Sequence, residues 1–120
     1  MQKETEQIQS EKDFKDALML SHMVLSHMAF LVNLSRIKEE QYEISENIYI
    51  VIKNVIGINR FIFKSRDSDE LNKAQEVMLL ICDAFELAKR DDKKCVINPG
   101  MANLILKTHK LLAVSLALRV

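Results

Sequence analysis

Histidine and cysteine are the side chains with the strongest claim to chemistry, and the stretch SHMVLSHM, residues 21–28, places two of the three histidines five positions apart. One metal ion held by two helical histidines needs both on the same face. Five residues of helix turn about 500°, so His22 and His27 diverge by about 140° and cannot ligate one ion together. His22 shares a strip with Lys15, Ser26 and Asn33, the expected wet edge of its helix. His27 falls among Leu20, Met23, Leu31 and Leu34, where a histidine hydrogen-bonded in a core or interface is the ordinary role. The sharper alternative is a pH-sensitive interface group, since imidazole changes charge near neutrality and burial disfavours its charged form.

A composite metal site of His27, His109, Cys82 and Cys95 would draw on three helices and a loop without ligand spacing, so neither metal nor cofactor is expected. Cys82 neighbours Ile81 and Phe85 and reads as a small buried hydrophobe. Cys95, beside Lys93 and Lys94, is expected to be exposed and somewhat acidic, the better candidate for a reactive thiol. The chain carries no HExxH, Glu-x-x-His pair, GxGxxG, phosphate-loop GKS/T or GxSxG elbow. The expectation is a protein that is not an enzyme.

Charge narrows the partners. Seventeen basic and seventeen acidic side chains cancel, so net charge gives no long-range attraction to nucleic acid or an anionic membrane. Locally the balance breaks: RFIFKSR, residues 60–66, sets three basic groups around two aromatics, and Lys93 to Val120 holds five basic residues and no acid. Arg60, Lys64, Arg66, Lys107 and Lys110 are therefore candidate phosphate contacts, with Phe61 or Phe63 stacking on a base. Nucleic-acid binding stays the second reading. Phe61 and Phe63 fit core closures at a helix end, and no glycine-bearing helix-turn-helix signature accompanies them.

The elements that must position these groups are helical, because two Gly and one Pro in 120 residues with 48 % hydrophobic content leave little room for a turn-rich β fold. Residues 1–9 are polar and patternless, an expected flexible tail. Ser10 with Asp13 approximates a capping box for a first helix, Glu11 to about Ile37. Its core arc is Phe14, Ala17, Leu18, Val24, Leu25, Met28 and Val32. A second helix, roughly Glu39 to Ile58, carries a stripe through Ile37, Ile44, Ile48, Val51, Val55, Ile58 and Ile62, its period outvoting the strand propensity of NIYIVIK. Whether it stops at Gly57 or runs on toward Lys64 is left open by the pattern. Asp67 or Ser68 caps a third helix to Arg90, with Leu71, Ala74, Met78, Ile81, Phe85 and Ala88 at seam spacing. Asn98 before Pro99 opens a fourth that runs almost to Val120. Residues 10–120 thus form one all-α domain, an antiparallel four-helix bundle.

Helix 1 has too much apolar surface for such a bundle. Leu20, Met23, Leu31 and Leu34 widen its arc past the roughly 100° stripe that an outer helix buries. The end of helix 4 repeats the excess, with Val114 and Leu118 off its main face. Surplus of that kind marks association surfaces, so a homodimer or a complex with a protein partner is expected through Leu20, Met23, His27, Leu31, Leu34, Val114 and Leu118. Met19, Met23, Met28, Met78 and Met101 read as packing filler. Ala17 to Ser35 is uncharged for nineteen residues, but two His, three Ser and an Asn make it a poor membrane span. The N-terminus lacks a signal-peptide core, so a cytoplasmic protein without a membrane partner is the expectation.

Overall fold

The computed structural model of the chain describes residues 2–63 and 68–119, with side chains from Glu11 onward. It has four helices: α1 (Gln2–Lys38), α2 (Glu46–Phe63), α3 (Asp69–Arg90) and α4 (Pro99–Ala117). Two begin where the sequence places them. Ser68, in extended conformation, accepts the Leu71 N–H at 3.3 Å to cap α3, and Asp69 and Glu70 in the first turn suit the helix dipole. Asn98 accepts the Met101 N–H at 2.8 Å, with Pro99 as the first residue of α4.

The other two starts differ from expectation. The helical backbone of α1 reaches back to Gln2, so Ser10 lies inside the helix and the segment read as a tail shares its backbone. Helix α2 starts at Glu46, not Glu39, because the chain leaves α1 through a Schellman turn: Glu39 sits at φ 55° and the Glu40 N–H reaches the Ser35 carbonyl at 3.2 Å. Ser45 then caps α2, its hydroxyl oxygen accepting the Ile48 N–H at 3.2 Å. Past Gly57 the helix continues to Phe63. Helix α3 ends like α1, with Asp92 at φ 55° and the Lys93 N–H on the Ala88 carbonyl at 2.7 Å. Neither turn carries the glycine that usually takes the left-handed position, which is why these stops leave so little trace in the sequence.

Packing follows a ring. α1 lies against α2 and α4, and α3 lies against α2 and α4, while α1 and α3 meet only weakly across the middle. Among the described residues α2 and α4 do not meet. Glu46 pairs with Lys89, Lys53 with Glu86, and Asn59 with Gln75. Along α1 and α4, Arg119 lies over the Phe14 ring, His109 meets Ser26, and Arg36 meets Asn103. The core is apolar, built on Phe14, Leu18, Leu25 and Met28 of α1 with Ile52, Leu71, Met78, Ile81, Ile105 and Leu112. Each such burial is worth roughly 1.5–3 kcal/mol.

One end of the core is closed by the two loops that precede α2 and α4. The Ile44 N–H donates to the Cys95 carbonyl at 2.7 Å and the Ile97 N–H to the Tyr42 carbonyl at 3.3 Å, around a single Glu43–Val96 bridge. This turns Ile44 and Cys95 inward. Farther along, a polar group interrupts the core. Asn59 is fully enclosed; its amide donates to Ser21 Oγ and to Gln75 Oε1, both at 3.0 Å, and Gln75 Nε2 donates to the Ile56 carbonyl at 3.0 Å. Three helices are stitched by this network. It also sets the phase of α2: Ile52, Val55, Ile56, Asn59 and Ile62 point inward, whereas Val51 and Ile58 of the expected stripe are exposed.

The molecule is elongated. Its radius of gyration is 15.7 Å, against about 14 Å for a compact chain of this length. At about 1.5 Å per residue α1 alone accounts for the longest dimension, which is 55 Å.

Candidate interaction surface

The side of α1 turned away from the core exposes Met19, Met23, Phe30 and Ile37 between charged ends, with Asp16, His27, Asn33 and Arg36 as polar neighbours. Leu20, Met23, His27, Phe30, Leu34 and Ile37 alternate by three and four along it, the spacing of a coiled-coil seam. Met23 is 63 % exposed, Phe30 60 % and Ile37 80 %, although nothing polar separates them on this stripe but the His27 imidazole. Leu20 and Leu34 are half-buried at its edges. The flank nearer α2 opens into a cavity of about 350 Å³, lined by Leu20, Met23, Val24 and His27 with Ile48, Val51 and Val55 and with no charged side chain.

Of the residues expected at an interface, Leu20, Met23, His27 and Leu34 belong to this stripe. Leu31 is half-buried and packs against the core, so it serves the chain's own interior as much as its surface. Val114 and Leu118 are well exposed, but they lie along α3 and α4, and the ring order puts that side opposite the α1–α2 cavity. Phe30 and Ile37 are the residues sequence reasoning missed. Their signal was the seven-residue interval from Met23 to Phe30 to Ile37, masked because Phe30 entered neither arc of helix 1 and Ile37 was assigned to the stripe of helix 2, whereas it belongs to α1. Met19 and Met23 are exposed, not core filler, whereas Met28, Met78 and Met101 are buried.

Several chemical candidates change character. His27 is exposed, while His22, read as the wet edge, is half-buried against α4: its ring stacks on His109 with centroids 4.8 Å apart, and His109 Nε2 lies 2.9 Å from Ser26 Oγ. Burial, and next the charge of His109, hold the His22 pKa below the usual histidine value. A histidine depressed in the folded state takes its proton first in the unfolded chain, so stability is full above the ordinary histidine pKa and is lost as pH falls toward the folded one. His22→Gln is therefore expected to flatten the fall in melting temperature between pH 7 and pH 5 relative to wild type; an equal fall in both would separate His22 from the acid sensitivity.

Cys95 is buried, contrary to expectation, because the loop bridge turns it away from its neighbouring lysines. Burial, with Glu43 adding to it, raises its pKa, and burial pushes the Cys82 thiol up to about 11. Neither thiol is primed as a nucleophile. Among the described residues no cluster of three or more metal-ligating side chains occurs.

The basic candidates do not converge. Arg60 projects from α2 and Lys107 and Lys110 from α4, helices without mutual contact; Lys64 and Arg66 lie outside the described residues. Phe61 is 69 % exposed, so it closes no core, while Phe63 is half-buried against it. Among the described residues one helix, over Glu11–Lys38, is long and apolar enough to cross a membrane, and 39 % of its most apolar stretch is buried inside the bundle. No protein-family model, curated protein or solved structure matches the chain.

Proposed function

We propose that the chain is a non-catalytic protein–protein interaction module, an antiparallel four-helix bundle that pairs with a second copy of itself through the outer face of α1. The observation that carries this reading is the 3-4-3-4-3 seam from Leu20 to Ile37, exposed at Met23, His27, Phe30 and Ile37, half-buried at Leu20 and Leu34, and apolar at every position except His27. The antiparallel arrangement is supported by helix pairs whose residue numbers rise on one partner as they fall on the other, as in Glu46–Lys89 and Asn59–Gln75. A second copy is the occupant because the seam is self-complementary by spacing and because of area. The isolated chain exposes 8100 Å², roughly 1,400 Å² more than the size scaling gives for a compact monomer of its mass, an excess to which its elongation along α1 also contributes. A standard interface removes about 800 Å² from each partner.

A dimer of this kind suits an adaptor, inhibitor, chaperone or regulatory subunit of the cytoplasm, with the rest of the surface left for a protein partner and no cofactor in play. A bilayer would satisfy α1 equally well by hydropathy alone, but Ser21, His22 and Ser26 on this helix are engaged with α2 and α4 inside the bundle. Flotation with neutral phosphatidylcholine vesicles, paired with light-scattering chromatography, separates the two. The purified chain is expected to stay out of the lipid fraction and elute at the mass of two copies; recovery with the vesicles would replace the dimer by a membrane-bound state.

A further inference from the structure

The opposite side of the bundle carries a second groove of different chemistry. Between α3 and α4 a cavity of about 510 Å³ has an apolar floor of Val77, Leu104, Leu111 and Val114, bordered by Lys73, Lys107 and Lys110 with Glu76 as its acid. It shares Leu111 and Val114 with a smaller hollow of about 230 Å³ that reaches Leu118, where Glu70 and Arg119 offset each other. The groove thus follows α4 from Leu104 to Leu118, about 21 Å at the rise of a helix. Within Pro99–Ala117 the charged side chains are Lys107 and Lys110 alone, so nothing on α4 neutralises this rim.

We infer that this groove binds an amphipathic helix of a partner protein, about four turns long, whose apolar side chains at i, i+4, i+7 and i+11 seat on the floor while Asp and Glu at its flanks meet Lys73, Lys107 and Lys110. Charge complementarity selects the acidic class, and the apolar floor selects a helix over an extended acidic segment, which has too few side chains on one line to cover it. Single-stranded nucleic acid fits less well. The groove lining offers no aromatic platform for a base, and its arginine, Arg119 at the far end, lies over the Phe14 ring beside Glu70. The surface is separate from the α1 seam, so pairing through α1 leaves it open and one dimer presents two such grooves.

The test is selection from a displayed library of single-helix peptides with randomised flank positions on the full chain. Affinities are then measured on wild type, Lys107→Glu/Lys110→Glu and Val114→Asp, with a thymidine 20-mer as the nucleic-acid probe. All substituted side chains are exposed, and circular dichroism checks that each variant is folded. Recovered peptides are expected to carry acids beside an apolar stripe and to lose about tenfold or more in affinity on either variant, while a seam variant such as Met23→Asp/Phe30→Asp keeps wild-type affinity. Recovery of basic or uncharged helices, indifference to the lysine reversal, or failure to recover any helix would overturn the inference. Thymidine 20-mer binding lost on lysine reversal, without peptide selection, would assign the groove to nucleic acid instead.

Discussion

Asn59→Asp is expected to bring the protein close to unfolding at pH 7 and to let it recover as the pH falls. Asn59 is fully enclosed, and its neighbours are arranged to receive donors: Ser21 Oγ and Gln75 Oε1 each accept from its amide at 3.0 Å. A carboxylate of the same shape turns a donor into a second acceptor facing the Gln75 oxygen. Gln75 has no slack to correct this, because its own amide is committed to the Ile56 carbonyl. Leaving an uncompensated charge in such a place costs about 3–5 kcal/mol, a large share of the 5–15 kcal/mol that holds a small domain together. The sign with pH follows from burial. An enclosed carboxyl has its folded-state pKa raised above the unfolded value, so the folded variant holds a proton that the unfolded chain has already released, and stability falls as pH rises through the interval between them. Wild type lacks this slope. Denaturant melts at pH 5 and pH 7 read it directly, and an aspartate variant as stable as wild type at pH 7 would mean that Asn59 reaches water.

Asn59 Oδ1 has no hydrogen-bond partner, so the network is not optimal even in wild type. Asn59→Leu removes that orphan but strands Gln75 Oε1 and the Ser21 hydroxyl, and an intermediate loss of about 1–2 kcal/mol is expected. The ordering of the two variants, Asp below Leu, separates a charge penalty from a packing penalty.

The second large effect concerns association. Met23→Asp/Phe30→Asp should leave each chain folded and abolish pairing. Both side chains are about 60 % exposed in the single chain, so their replacement touches little of the core and is expected to shift unfolding by about 0.5 kcal/mol or less per site. In a dimer built on the α1 seam the same positions are central. Withdrawing the exposed part of two large apolar side chains from each of two copies removes roughly 4–8 kcal/mol, before the cost of four carboxylates in a dry seam. At 1.4 kcal/mol per decade, the dissociation constant rises by about a thousandfold or more. Leu31→Asp is a poorer probe, because Leu31 also packs against the core and its loss would blur dissociation with unfolding.

Much of the bundle was legible because its signals are local. Ser68 and the Asn98-Pro99 pair announce the starts of α3 and α4, and the arc from Phe14 to Val32 names the buried face of α1 without reference to any other helix. What stayed hidden depends on contacts between elements. The phase of α2 was misread because periodicity rewards Ile58 and Val51 and discounts a polar residue, yet Asn59 takes the inward position by finding Ser21 and Gln75 on two other helices. His22 left its expected wet edge for a similar reason. Ala29, too small to weigh in the pattern, is buried and turns the inner arc of α1 toward His22, and α4 covers that flank while His27 faces outward. Cys95 was placed in solvent by its lysine neighbours, and only the pairing of two loops, invisible to either alone, moves it inside. The surplus of apolar surface on α1 was legible as a quantity; its concentration into one seam that includes Phe30 and Ile37 needed the helix to be seated among its neighbours.

Sedimentation equilibrium of the wild-type chain across a concentration series spanning low to high micromolar, set beside Met23→Asp/Phe30→Asp, tests the pairing of α1 most directly. The expected result is a wild-type species of twice the 13.9 kDa chain mass that the double variant reduces to a folded single chain. A wild-type chain that sediments as one copy throughout, with the α1 seam open to water, would contradict it.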